Sequence, residues 1–231
     1  MALVDTGLVC RYYFDEAASG TTPTQIDDAS ANAYHLTTVN YGASSAYTEV
    51  SGNRGFDSTA TTGTQRASRA IDDTSDALRD ALAGAQKATI EVVFAPDAFA
   101  AGGGRIFGIN GRAGQNGELL LKATSLTAYD VAFNDANQVV KFDPSISAGT
   151  RAVLHIVVDT TQGVFSNRIR YSLNGGTLTG VSDTTALNET LALGASLDLI
   201  ALNRLEHRVG TLLVGKGIEQ ILELHRIKLL R

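Results

Sequence analysis

The sequence predicts an all-β fold of two antiparallel sheets stacked face to face, and three observations predict it. Turn residues recur about every ten positions, with short apolar or alternating runs between them, which is the spacing of a sandwich or barrel. The run Arg168-Ile169-Arg170-Tyr171-Ser172-Leu173 alternates strictly, with Arg, Arg and Ser on one face and Ile, Tyr and Leu on the other, as a half-buried strand requires. Asn174-Gly175-Gly176 follows it with residues that accept the positive φ angles of a tight reversal. The chain has 231 residues, long for an average domain but ordinary for a large sandwich, so a single domain over 1–231 is expected. A domain of that size buries roughly 70% of the surface its unfolded chain exposes, enough for a core without covalent staples.

The clearest strands run from Ala88 to Phe94, Arg105 to Ile109, Glu118 to Ala123, Val139 to Phe142, Ala152 to Asp159 and Arg168 to Leu173. Two more are expected at Leu197 to Leu202 and Gly217 to Leu224. Gly102-Gly103-Gly104 supplies a turn before Arg105. One short helix is expected where Asp72-Asp73-Thr74-Ser75-Asp76 offers caps and first-turn acids. Ala77, Leu78, Ala81 and Leu82 then form an apolar stripe, and Gly84 closes it. The spacing from Ile218 to Leu230 fits either a strand with an apolar tail or a short helix.

Composition excludes several classes. The net charge is −5, from 19 basic and 24 acidic residues, with no basic run, so recognition of nucleic acid through phosphate neutralisation is not expected. No window approaches the ~20 apolar residues of a membrane-spanning helix. Met1-Ala2-Leu3-Val4-Asp5 has neither a basic n-region nor a long apolar h-region, so no signal peptide is expected and synthesis in the cytoplasm is. The single Cys10 cannot form an internal disulfide and reads as a small apolar residue of the first strand.

The opening of the chain carries a family resemblance. Gly7-Leu8-Val9-Cys10-Arg11-Tyr12-Tyr13-Phe14-Asp15-Glu16, followed by Asp27-Asp28-Ala29-Ser30-Ala31-Asn32 and Tyr34-His35-Leu36, resembles the first hairpin of laminin-G-like, concanavalin A-like domains. Gly55-Phe56-Asp57 is similar to a Phe-Asp-Gly turn of that family, with Ser58 in place of the glycine. Thr89-Ile90-Glu91-Val92-Val93-Phe94 resembles its central strand, and Ala152 to Asp159 with Arg170-Tyr171-Ser172-Leu173-Asn174-Gly175 resembles the strand pair and turn that follow. Gly217-Ile218-Glu219-Gln220-Ile221 is similar to the closing strand, which favours strand over helix there. The resemblance implies a two-sheet antiparallel jelly-roll sandwich, concanavalin A-like, with one short helix. It also implies a structural calcium near the first loop, for which Asp27, Asp28, Asn32 and Asp57 supply hard oxygen ligands.

No reactive constellation accompanies this fold. Glycoside hydrolysis needs two carboxyl groups roughly 5–9 Å apart across the sugar. Glu91-Val92-Val93 lacks the second acid of a Glu-x-Asp-x-x-Glu strand, and Glu219 and Glu223 are four apart with no acid between. His35, His155, His207 and His225 are scattered, and His155 on an apolar strand reads as a packed histidine. Tryptophan is absent, which disfavours the stacking mode of many sugar binders. Tyr12, Tyr13, Tyr34, Tyr41, Tyr47, Tyr129 and Tyr171 read mostly as core or strand residues.

These readings lead to an expectation of a non-catalytic structural or adhesion protein on a particle surface, such as a bacteriophage virion component for head decoration, tail or fibre. The expected partners are further copies of the chain, other virion or particle proteins, and cell-surface glycan. A carbohydrate-binding module is the alternative, and a divergent glycosidase a third reading. Apolar Leu3, Val4, Leu229 and Leu230 at the two ends point to packing against a neighbouring subunit. Arg168 and Arg170, on one polar strand face, are a candidate contact surface.

Overall fold

A computed structural model of the chain describes residues 7–22, 24–39, 45–50, 53–59, 66–71, 82, 84–99, 104–110, 119–133, 139–182, 197–203 and 205–215. In chain order the strands are β1 (Leu8–Tyr12), β2 (Gln25–Ile26), β3 (Leu36–Val39), β4 (Ser45–Val50), β5 (Asn53–Thr59), β6 (Arg66–Ile71), β7 (Lys87–Phe99) and β8 (Gly104–Asn110). They continue as β9 (Leu119–Ser125), β10 (Ala128–Phe133), β11 (Val139–Phe142), β12 (Ala152–Asp159), β13 (Ile169–Leu173), β14 (Thr179–Gly180), β15 (Leu197–Asn203) and β16 (Leu205–Gly215).

The strands form two antiparallel sheets, as the alternation predicts. The first has the order β14-β13-β12-β7-β16-β5-β4, and the second β11-β10-β9-β8-β15-β6-β3-β2. Strand β16 is a central strand of the first sheet. It pairs with β7 along one side, and on the other with β5 over Glu206 to Val209 and with β1 over Leu212 to Gly215.

Hydrophobic burial holds the two sheets together. On β7 the side chains of Ala88, Ile90, Val92 and Phe94 enter the core, and on β12 those of Ala152, Leu154, Ile156 and Val158 do so. The second sheet answers with Leu119, Leu121 and Ala123 of β9, Tyr129, Val131 and Phe133 of β10, and Val140 and Phe142 of β11. Each large apolar side chain so buried contributes about 1.5–3 kcal/mol. A run of rings stitches the sheets: Phe94 to Tyr129 at 6.3 Å, Tyr129 to Phe142 at 5.8 Å, and Phe142 to Tyr171 at 4.9 Å between centroids. Burial raises the Tyr129 hydroxyl above its ordinary pKa, helped by the nearby charge of Asp143. Among the described residues Tyr12, Tyr34, Tyr47 and Tyr129 are buried in the core, as expected, and Cys10 is buried there too.

The turn after β13 is the one expected. Asn174 and Gly175 have φ of 51° and 74°, and the Asn174 Oδ1 accepts the Val153 N–H at 2.9 Å. Ala152 to Asp159 and Val139 to Phe142 are strands over the expected bounds, and Leu197 to Leu202 extends by one residue.

Three local expectations are corrected. The opening is not a hairpin, because β1 joins the first sheet beside β16 while β2 and β3 belong to the second. Among the described residues one isolated β-bridge, Tyr12 to Asp28, joins the two pieces, with loop hydrogen bonds beside it. Gly55-Phe56-Asp57 is not a turn but lies within β5, where Phe56 and Asp57 pair with Tyr47 and Ala46 of β4. Arg168 is not in β13: it is helical in conformation (φ −74°, ψ −32°) and caps a one-turn 3-10 helix, Phe165–Asn167. The expected helix lies outside the described residues except at its end, where Leu82 is helical and buried and Gly84 has φ of 72°. The closing strand from Gly217 and the terminal residues Leu3, Val4, Leu229 and Leu230 also lie outside the described residues. No helix among the described residues is long and apolar enough to cross a membrane.

Ile156 sits fully buried at the centre of the inter-sheet core. Ile156→Ala is expected to cost about 2–5 kcal/mol. Urea unfolding should show this as a lower midpoint with an unchanged slope.

Candidate functional site

The acidic loop of residues 27–32 builds the fold. Asp28 is buried, and its carboxylate receives four hydrogen bonds: Oδ1 from the N–H groups of Arg11 and Ser30 at 2.8 and 2.9 Å, Oδ2 from the Ser30 hydroxyl and the Tyr34 N–H at 2.7 and 2.8 Å. An ionised carboxylate offers about four lone-pair positions, so protein donors fill this one. Asn32 donates its amide to Val9 O at 2.8 Å, and Asp27 Oδ1 accepts the Gln25 amide at 2.6 Å. Asp57 lies on β5 of the first sheet, whereas the 27–32 loop lies between β2 and β3 of the second. Calcium takes about six to eight oxygen ligands. The four residues do not fit such a site, because the Asp28 lone pairs are taken by protein donors, Asn32 is tied through its amide to β1, and Asp57 belongs to the other sheet. Among the described residues no group of three or more His, Cys, Asp or Glu side chains could hold a metal ion.

A second polar group lies on the outer face of the first sheet. Antiparallel register aligns Arg11 (β1), Leu213 (β16), Glu91 (β7), His155 (β12) and Ser172 (β13) in one row across five strands. Arg11, Glu91, His155 and Ser172 are all buried. His155 Nδ1 lies 3.5 Å from Glu91 Oε2, and the Ser172 hydroxyl donates to Gly176 O at 2.6 Å. Glu91 is thus packed against a histidine and is not open to a sugar. Glu219 and Glu223 lie outside the described residues.

The hairpin tip between β12 and β13 has the opposite character: internally hydrogen-bonded, yet apolar and exposed. Among the described residues Val164 and Phe165 are the large hydrophobic side chains left in solvent, 60% and 46% exposed. Three contacts fix the loop beneath them. The first is Asp159, the last residue of β12, whose buried carboxylate accepts the Thr161 hydroxyl and N–H and the Gln162 amide at 2.5, 3.1 and 2.7 Å, with Lys87 Nζ at 3.5 Å. The second is Arg168, which donates from Nε to Gln162 O at 2.8 Å and lays its guanidinium 4.6 Å from the Phe165 ring centroid. The third is Gly180 of β14, where a Cβ would collide with the carbonyl oxygen of Ser166, so the 3-10 turn rests directly on that glycine.

Burial disfavours the Asp159 charge, but the hydrogen bonds from Thr161 and Gln162 and the charge of Lys87 outweigh it and hold the carboxyl below its ordinary pKa. Arg170, expected to share a face with Arg168, stays on the strand opposite Gly180, half-buried, while Arg168 folds back over the loop. Sequence reading missed Phe165. The available signal was an apolar pair, Val164-Phe165, between Gly163 and Ser166-Asn167 in an otherwise polar link between two strands.

No protein-family model matches the chain, and no curated protein is similar to it in sequence. Solved structures are similar in fold. A Trypanosoma rangeli sialidase in complex with 2,3-difluorosialic acid superimposes with a TM-score of 0.61 at 12% identity, over 97% of this chain and 33% of the sialidase. The binding domain of botulinum neurotoxin DC in complex with SialylT gives 0.58 at 10% identity, over 98% of this chain and 52% of that one. The same binding domain in complex with rat synaptotagmin II gives 0.56 at 10% identity, over 97% and 52%. This chain therefore spans about a third of the sialidase and about half of the neurotoxin domain. At these identities the likeness is one of fold, and it agrees with the all-β sandwich.

Two outcomes follow from the loop chemistry. A carboxyl held below its unfolded value of about 3.9 stabilises the fold above that pH, and the contribution is lost as pH falls through the folded value. Thermal melts should therefore lose stability below about pH 4, and less steeply in Asp159→Asn, which is already weakened by about 1–3 kcal/mol at neutral pH. Because the 27–32 loop is closed by its own hydrogen bonds, adding calcium or a chelator should leave the melting midpoint unchanged; a midpoint that rises with calcium would restore the ion.

Proposed function

We propose that this chain is a non-catalytic adhesion domain that binds glycan through the β12–β13 tip. The observation that carries this reading is the Phe165 ring, held by an internally bonded loop and backed on one face by the Arg168 guanidinium. The Phe165 side chain is exposed at the tip while Arg168 lies against its ring. The apolar face of a pyranose matches an aromatic face, and a partner immobilised in advance loses little entropy on binding. Asn167, two residues beyond the ring, is exposed and carries an amide group that can address hydroxyls.

The fold neighbours support the same reading. The sialidase was solved with 2,3-difluorosialic acid and the neurotoxin binding domain with SialylT, so related sandwiches occur in carbohydrate-bound proteins. The reading of the chain as a virion component gains no observation from the structure, and the carbohydrate-binding alternative takes its place. The absence of tryptophan is met by a phenylalanine outside the core.

Phe165→Ala should abolish glycan-array binding while shifting the melting midpoint little, since the ring is half in solvent. An array on which the native protein binds no glycan at micromolar concentration would refute the reading.

A further inference from the structure

We infer that the glycan taken at this tip bears a carboxylate, which the Arg170 guanidinium receives beside the Phe165 ring. The inference rests on the glycan-binding reading and adds the ligand's charge. Arg170 and Gly180 are direct cross-strand partners, so their Cβ directions share one face of the sheet. The carbonyl of Ser166 occupies the space where a Gly180 Cβ would stand. The 3-10 turn that carries Phe165 therefore folds over the same face that carries Arg170, and the two side chains belong to one surface.

Charge at this surface opposes that of the whole chain. Among the described residues Lys87, Arg168 and Arg170 lie around the tip with Asp159 as the acid among them, although the chain as a whole carries −5. A locally positive tip on a negative protein selects for an anion. Arg170 adds a more specific mark. Its Nε is buried and has no hydrogen-bond partner among the described residues. The residue as a whole is half-buried, so a ligand carboxylate meets the solvent-side nitrogens of the guanidinium, in the planar geometry that suits arginine, and supplies the counter-charge that the described residues do not. A neutral sugar hydroxyl would satisfy the hydrogen bond but not the charge.

The test uses the full chain on an array that pairs sialylated and glucuronate-terminated oligosaccharides with their carboxyl-reduced counterparts. Binding should be confined to the acidic member of each pair and fall at least about tenfold on reduction, the scale of one charge-assisted hydrogen bond. Arg170→Gln should lose the acid preference with a melting midpoint near that of the native protein, Arg170→Lys should keep part of it, and added salt should weaken binding of the acidic glycans. Equal binding to acidic and reduced glycans, lost in Phe165→Ala, would overturn the carboxylate assignment and leave glycan binding standing. Silence across the array would remove both.

Discussion

The register between β7 and β12 is the constraint on which the rest depends. Eight consecutive residue pairs, from Ala152 opposite Phe94 to Asp159 opposite Lys87, lock these strands together at the centre of the first sheet. The pleat sends alternate side chains to opposite faces, and on β12 both faces are buried. One face gives Leu154, Ile156 and Val158 to the core; the other gives His155, Val157 and Asp159 to the outer surface. A slip of one residue would drive a histidine and an aspartate into the apolar interior and expel the core residues. That penalty makes the register unique.

Asp159 converts this register into a shaped loop. As the last residue of β12 it faces outward beside Lys87, so its carboxylate meets the loop that leaves the strand. Hydrogen bonds to Thr161 and Gln162 curl the chain, Arg168 returns to Gln162, and Gly180 lets the turn settle on β14. The apolar tip is exposed because its supports are polar and internal. Burying Phe165 would require breaking bonds that the buried carboxylate cannot replace with water. Exposure of a hydrophobic pair on an internally hydrogen-bonded loop is the opposite of what core packing selects, which is why this place stands out from the rest of the described surface.

Asp28 plays a comparable part at the other end of the chain, and it shows how two chemistries share one sequence pattern. A run of Asp, Ser and Asn in a loop suits a hard cation, but it equally suits backbone N–H groups that need acceptors. Here the backbone wins. Donors from Arg11, Ser30 and Tyr34 converge on one carboxylate in the link between β2 and β3, where it ties β1 of the first sheet to a loop of the second. Ser30 and Tyr34 lie in the loop, where no neighbouring strand offers their N–H groups an acceptor, and the buried Asp28 supplies it.

Much of the architecture was legible in the amino-acid sequence. Alternation along Ile169 to Leu173, the apolar run from Ala152 to Asp159 and the Asn174-Gly175 turn each follow from local physics, since strand period and positive φ are properties of a few adjacent residues. Strands β4, β5 and β16 were not read, because polar, Gly-containing stretches such as Asn53 to Thr59 become strands only by pairing with neighbours distant in the chain. The site was less legible still. Asp27, Asp28, Asn32 and Asp57 looked like one ligand set, yet the fold assigns three of them to a loop and the fourth to a strand of the other sheet. By itself the sequence determined that the chain forms alternating strands with a buried aromatic core. Only the tertiary structure decided that Asp28 ties its loop to β1, that Arg168 leaves its strand and that Phe165 stands in solvent, because each outcome depends on which distant groups arrive to complete a hydrogen bond or fill a space.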